Sequence, residues 1–298
     1  MGSILQTLKR VVPLGMKRSI VGSRAFRRLR AGRLARTSKR LDICAAQVAS
    51  LLHLAGGLSL AGKTCLEVGS GWVLSHAVVC HLLGAERVIA TDIEAMAQFG
   101  LLGDAVGRST ASLVRDVLSP FDDHAAIRER LERLLAVRRF SRAALERLGI
   151  EYVAPVDFAR RPLGRTVDFV FSLSVLEHVT VEEVPLLLAN LAADMSPGGA
   201  MIHAIHLEDH RDMSARPLAF LGASGESFTP AVQGDRGNRI RASQWGEIFA
   251  AVPDTRHRLL YRWSRRDRPL PATIDPSVKY VDEEDLRTSH LGVLIERL

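Results

Sequence analysis

The chain has 298 residues, 47% hydrophobic and 24% charged, the composition of a soluble globular protein long enough to bury a full core in one large domain. Its net charge of +7 is uneven: residues 1–40 hold twelve Lys or Arg and no Asp or Glu, +12, which leaves −5 for residues 41–298. Three cysteines without metal or disulfide spacing, Cys44, Cys65 and Cys80, exclude a disulfide scaffold and suit a reducing compartment, and no apolar run approaches the roughly 18 residues of a membrane span.

At the start, Ile4, Leu5, Leu8, Val11 and Val12 recur at helical spacing until Pro13 interrupts. Arg24, Arg27, Arg28, Arg30, Arg33 and Arg36 then surround Phe26, Leu29 and Leu34. Such a basic amphipathic arm suits an anionic membrane surface, and equally a solvated helix with its apolar side on the body. Its Arg-rich, acid-poor composition is also that of transit peptides. Aromatic interleaving is missing, which speaks against nucleic acid as a partner. There is no signal-peptide apolar segment, and Gln6 fails the myristoylation pattern. The expected location is cytoplasmic, peripheral at the inner face of the membrane if the arm binds lipid.

The periodicities that follow predict a helix over Ile43–Leu54, a strand over Thr64–Val68, a helix over Leu74–Leu83 and a strand over Arg87–Ala90. Residues 94–149 are too long for an ordinary connection. They are rich in Leu, Arg, Ala and Glu and read as a helical insertion, which would cap a substrate pocket or serve structure. Strands follow at Glu151–Val156 and Val167–Ser172, the latter apolar on both faces as a central parallel strand should be. A helix over Val181–Met195 stops at Ser196-Pro197-Gly198-Gly199. Ala200–Ile205 is a strand, Ala242–Ala251 a helix, and two late strands lie near His257–Trp263 and Gly292–Arg297.

The first strand ends in Leu66-Glu67-Val68-Gly69-Ser70-Gly71 and the second in Ala90-Thr91-Asp92. Carboxyl ends of neighbouring parallel strands face one crevice, where ligands bind. The glycines let the turn reverse tightly and the backbone approach a ligand. A dinucleotide fingerprint needs a third glycine where this chain has Leu74, which argues against NAD or FAD. Glu67 would repel a pyrophosphate but suits an ammonium group or a positive sulfur, and Asp92 is placed to accept from two ribose hydroxyls. Asp157, at the end of the third strand, reads as a turn or cap carboxylate or as a ligand to a base.

These stretches, with Val167-Asp168-Phe169-Val170-Phe171-Ser172-Leu173-Ser174-Val175-Leu176-Glu177-His178-Val179 and Met195-Ser196-Pro197-Gly198-Gly199-Ala200, resemble the class I S-adenosylmethionine-dependent methyltransferases over roughly residues 60–210. The resemblance is to methyltransferase domains of the type 11/12 kind. Val73 departs from it, standing where many members carry a third glycine. The resemblance implies an α/β, Rossmann-like doubly wound sheet of seven strands with an antiparallel C-terminal hairpin. It divides the chain into the arm (1–40) and a methyltransferase domain (41–298), with residues 207–298 forming the acceptor side and the hairpin. It implies S-adenosyl-L-methionine as cofactor, held by Glu67, Gly69, Ser70, Gly71, Asp92, Ile93, Asp157, Phe158 and Ser172, with Asp157 accepting from the adenine amine.

Methyl transfer to a hydroxyl needs a positioned base, and histidine titrates near working pH. His178 follows the fourth strand; His203, His206 and His210, with Glu208 and Asp209, lie in or after the fifth. Asp209-His210, Pro217–Leu221 and Asn238–Ser243 loosely resemble methyltransferases of bacterial glycan biosynthesis. The expected base is His210, oriented by Asp209, with His178 the alternative. The expected acceptor is a small molecule or glycan, methylated on oxygen. N- or C-methylation of a metabolite or quinone, or a silent cofactor-binding protein, are the alternatives. A metal shared by His203, His206, Asp209 and His210 is disfavoured because side chains alternate along a strand and set His203 opposite His206, so no metal is expected.

Overall fold

The computed structural model describes Leu29, residues 32–37 and residues 39–298. Most of the basic arm, including the Ile4–Val12 pattern, lies outside the described residues. Seven strands form one sheet in the order β3-β2-β1-β4-β5-β7-β6. They are β1 (Thr64–Val68), β2 (Arg87–Thr91), β3 (Ile150–Val153), β4 (Val167–Leu173), β5 (Met195–His206), β6 (Thr255–Ser264) and β7 (Thr288–Arg297). The first five are parallel, and β7 runs antiparallel between β5 and β6. This is the doubly wound sheet with an antiparallel closing hairpin that the sequence led us to expect. The chain winds one way from β1 to β3, then restarts at β4 beside β1. The crevice of this sheet therefore opens above β1 and β4.

Helices cover both faces because the strands are apolar on both. On one face α1 (Leu41–Leu54) and α2 (Ser75–Leu82) pack Val48, Leu52, Val78 and Leu82 onto Cys65, Val88, Phe169 and Ile202. On the other, α7 (Val184–Asp194) and α9 (Ala242–Ala250) pack Leu188, Leu191, Trp245 and Phe249 onto Leu66, Val170, Met201 and Val293. Each such side chain contributes about 1.5–3 kcal/mol by leaving water. The insertion forms α3 (Phe99–Gly107), α4 (Ala111–Leu118), α5 (His124–Leu135) and α6 (Arg142–Glu146). Leu102, Val114, Leu118, Ile127 and Leu131 join the core beneath α1 and α2, so it is an outer helical layer. Arg130 fastens it, donating to the Leu82 carbonyl at the end of α2 and to Asp122 at 2.6 Å.

Two strand boundaries differ from those the sequence predicts. β3 stops at Val153, before Pro155, which has no N–H to give a ladder. β5 begins at Met195, through the turn residues Ser196–Gly199, and a register shift between Val167 and Phe169 absorbs the extra length.

The C-terminal third is held by a buried cation. Arg241, wholly buried, donates to the carbonyls of Arg239 (3.2 Å), Thr288 (3.3 Å) and Leu207 (3.1 Å). Its pKa falls to about 10, through burial first, with Asp285 opposing the fall. Asp285, also buried, accepts from the backbone and hydroxyl of Ser243. This joins the loop before α9 to β7 and α10 (Glu283–Arg287). Replacing Arg241 by Ala leaves three buried carbonyls and a buried carboxylate without it. The expected loss is about 3–5 kcal/mol, read as a lower urea midpoint at unchanged slope.

Candidate active site

The glycine turn after β1 is shaped by sterics on one side and left open on the other. Gly69 has φ +74°, and a Cβ there would lie 2.5 Å from Val175 Cγ2. Gly71 has φ +66°, and a Cβ there would meet nothing within 4 Å, so its backbone borders open space. Leu74 takes the left-handed conformation at φ 61° that a glycine would adopt freely, at a cost of roughly 1–2 kcal/mol. Val73 is buried against Ala35 and Ala105, so the missing third glycine is filled by packing.

Asp92 reaches back to this turn: Oδ2 accepts from Gly71 N at 2.8 Å and Oδ1 from Glu94 N at 3.1 Å. The turn is tied to β2 again by Ser70 N donating to the Thr91 carbonyl (2.8 Å) and by the Thr91 hydroxyl donating to the Glu67 carbonyl (2.7 Å). Burial raises the pKa of Asp92, against the two backbone donors that lower it. Glu67 is buried, with Oε1 3.6 Å from His76 Nδ1, and burial pushes its pKa up to about 7 although Lys39 pulls it down. Glu67 Oε2 and Ser70 Oγ are buried and lack hydrogen-bond partners, which costs free energy unless something else supplies them. Ile93, 65% exposed, forms an apolar rim beyond Asp92.

Three expected cofactor contacts sit differently. Ser172 is fully buried and its hydroxyl bonds His203 Nδ1 at 2.8 Å, so it serves the sheet interior and does not face the crevice. Phe158 is a core side chain beneath β1 and β2, packed with Leu66 and Ile89. Asp157 acts as a turn carboxylate, accepting from Ala159 N (3.0 Å) and Arg160 Nε (2.9 Å).

Across the crevice, β4 ends at Leu173, and Ser174, with φ 57°, turns the chain into the 3₁₀ turn Leu176–His178. Because Val175 rests on Gly69, this turn is held beside the glycine turn. Asn238 clamps it: its side-chain amide donates to the carbonyls of Leu176 (3.0 Å) and Val179 (2.9 Å), and its N–H to that of Glu177 (2.8 Å). Here Glu177, His178 and His210 converge, with ligand atoms within 4.8 Å of one another. The His178 and His210 rings lie 4.5 Å apart, and His210 stands 5.4 Å from His206. His206 faces His290 on β7, its register partner, at 3.9 Å.

Burial sets the charges in this cluster. Glu177 is pushed up to about 8. His210 falls to about 3, helped after burial by His178 and His206, and His206 and His290 fall to about 4. His206, His210 and His290 are therefore neutral at neutral pH, each keeping a lone pair. The expected orientation of His210 by Asp209 is not what is seen. Arg236 holds the Asp209 carboxylate, donating through Nε at 3.2 Å and through a second nitrogen. The carboxylate facing His210 Nε2 is Glu177 Oε1, at 3.6 Å. His203 lies on the other face of β5 from His206, as strand alternation requires, and takes no part in the cluster. The sequence assigns no role to Glu177 or His290, and Asn238 stands in it only as the first residue of the Asn238–Ser243 stretch. Glu177 adjoined His178 in the most specific motif, and His290 would have been found had β7 been read from Thr288. Asn238→Ala leaves the Val179 carbonyl unpaired and the Leu176 carbonyl with the Val179 N–H alone, an expected loss of about 1–3 kcal/mol. Faster amide exchange across residues 176–179, with less change in β1 and β2, is the accompanying signature.

No family model matches the chain, and neither does any curated protein. Among solved structures it is similar to an S-adenosylmethionine-dependent methyltransferase from Mesorhizobium loti, at 15% identity and TM-score 0.45, over 84% of this chain and 98% of that one. It is similar to an O-methyltransferase family protein from Burkholderia thailandensis at 12% identity and TM-score 0.46, over 94% of this chain and 62% of that one. A third is the magnesium protoporphyrin IX methyltransferase of Synechocystis with SAH bound, at 14% identity and TM-score 0.43, over 99% of both chains. With five parallel strands, an antiparallel closing hairpin and a glycine turn tied to Asp92, the chain has the α/β fold that its motifs' resemblance to class I S-adenosylmethionine-dependent methyltransferases implies.

Proposed function

We propose that the chain transfers a methyl group from S-adenosyl-L-methionine to an oxygen of a sugar, glycan or lipid-linked acceptor. The observation that carries this reading is Asp92 bonded to Gly71 N beside the orphaned atoms of Glu67 and Ser70. The residues fit the cofactor: Glu67 suits its positive groups, Asp92 its ribose, the open backbone at Gly71 its close approach, and Ile93 an apolar base. When bound, the cofactor supplies an activated methyl group on a positive sulfur.

The chain's own residues then hold the acceptor and manage its proton. Neutral His210 accepts a hydroxyl proton, with His178 beside it as the alternative. Ionisation of Glu177, 3.6 Å away, strengthens that basicity. The turn Leu176–His178, clamped by Asn238, fixes these groups against the cofactor side through Val175. Alignment of this kind contributes several kcal/mol. The similar solved structures carry O-methyltransferase, N-methyltransferase and porphyrin methyltransferase in their names, and oxygen is preferred here because a hydroxyl needs a base and an amine needs little help. The basic excess of residues 1–40 suits an anionic membrane holding a lipid-linked acceptor.

Two measurements test this. Calorimetry with S-adenosylhomocysteine should show affinity rising with pH through about 7. Glu67, raised from 4.5 to about 7, is protonated below that value and becomes the anion that a ligand ammonium needs above it. Glu67→Gln should flatten that rise. Under turnover with a panel of acceptors, His210→Ala should lower kcat about 10²- to 10⁴-fold for a hydroxyl. Equal activity would point to an amine or carbon acceptor, and tight binding without turnover to a silent protein. Separately, a chain lacking residues 1–40 should no longer sediment with vesicles containing phosphatidylserine; equal pelleting removes the membrane reading.

A further inference from the structure

We propose that Glu177, His178 and His210 form a binding site for a divalent transition-metal ion of the zinc class at the acceptor end of the crevice. The proposal rests on the acceptor-side assignment above, but not on the identity of the cofactor.

Three observations carry it. The ligand atoms of two imidazoles and one carboxylate lie within 4.8 Å of one another, the donor set of a three-ligand zinc site that keeps one position open. The Glu177 side chain is 1% exposed; the Ser174 hydroxyl and the His206 and Glu177 N–H groups lean on its carboxylate without reaching good hydrogen-bond geometry, and His210 Nε2, 3.6 Å away, has no hydrogen bond. A buried carboxylate facing an unpartnered nitrogen has two resolutions, a shared proton or a cation between them. The third observation is the tautomer of His178. Its Nδ1 lies 2.8 Å from the Gly234 carbonyl, which can only accept, so Nδ1 carries the hydrogen and Nε2 keeps the lone pair. A backbone carbonyl fixing the far nitrogen is the usual arrangement around a metal-binding histidine. His206 and His290 adjoin the site, but Glu208, which joins them, is paired with Arg265 at 2.9 Å, so a cation is already supplied there.

His178 is half-buried and the His210 side chain 17% exposed, while His210 Nε2 and the Glu177 oxygens are buried, so the site lies just beneath the surface. An ion there lowers the pKa of a coordinated acceptor hydroxyl. The proton then leaves to solvent, and His210 changes from proton acceptor to ligand.

The test uses the full chain without a histidine tag. Calorimetry with Zn2+ and visible absorption on adding Co2+ should show one ion per chain, with no comparable response to Mg2+, which prefers oxygen ligands. His178→Ala, His210→Ala and Glu177→Gln should each weaken binding at least tenfold. His124→Ala, an exposed histidine at the start of α5, should leave it unchanged. Binding of S-adenosylhomocysteine, measured on each variant, checks that it is folded. If Glu177→Gln fails that check, the half-buried His178 supplies the decisive variant. The absence of Zn2+ and Co2+ binding, or binding that survives all three substitutions, overturns the site. Failure of S-adenosylhomocysteine to bind the unaltered chain would instead overturn the cofactor reading and leave the metal result standing.

Discussion

One contact joins the two halves of the crevice: Val175 seated on Gly69. A Cβ on residue 69 would stand 2.5 Å from a Val175 methyl, and the positive φ of Gly69 already favours the residue without one. The turn after β1 and the turn after β4 therefore meet as backbone against side chain, with no room between them. Everything on the cofactor side hangs from the first turn through Asp92 and Thr91. Everything on the acceptor side hangs from the second, through Asn238 and the neighbours of Glu177. A residue larger than glycine at position 69 would separate reacting groups that must stay within about 3 Å in line.

The two sides also share an electrostatic design. Each places a buried carboxylate 3.6 Å from an imidazole, Glu67 with His76 and Glu177 with His210. Burial moves carboxylates up and imidazoles down, so both couples rest near neutrality instead of forming full ion pairs. Keeping Glu67 ionised with its pKa near 7 costs the folded state on the order of 3 kcal/mol relative to an unshifted carboxylate. Its stability contribution accordingly declines as pH rises from the unfolded to the folded pKa, the reverse of the usual acid-side loss.

Much of the fold was legible because its signals are local. Short apolar runs ended by Glu67, Asp92 and Ser172 marked parallel strands, and the glycine pair marked the crevice. What the sequence hid was non-local. Asp209 next to His210 looked like an orienting pair, but the neighbour in sequence is taken by Arg236, and the neighbour in space is Glu177. Ser172 and Phe158 sit in matching motifs yet turn inward, because strand alternation and core packing decide where side chains point. Asn238 and Arg241 lie in a stretch known from the sequence only by a loose subfamily resemblance, and both donate to backbone carbonyls and fasten loops. His290 came from a strand whose opening residues carried no apolar signal.

The distribution of unsatisfied groups says where the chain gives up stability. Among the described residues nine buried side-chain polar atoms lack a hydrogen bond. Five of them, on Glu67, Ser70, Glu177 and His210, lie at the carboxyl ends of β1, β4 and β5 or in the segments that follow. Each costs about 1–3 kcal/mol against a satisfied arrangement, so chance accumulation at one end of the sheet would be purged from a fold held by a margin of 5–15 kcal/mol. The opposite end shows the contrary economy: Asp168 accepts from both Thr64 N and the Ser196 hydroxyl, and Asp194 from Leu163 N and Gly164 N. Polar groups are thus satisfied at Asp168 and Asp194 and left open at the carboxyl ends, where most of the open atoms belong to carboxylates and an imidazole, the chemistry of cations and of proton transfer that the proposed ligands require.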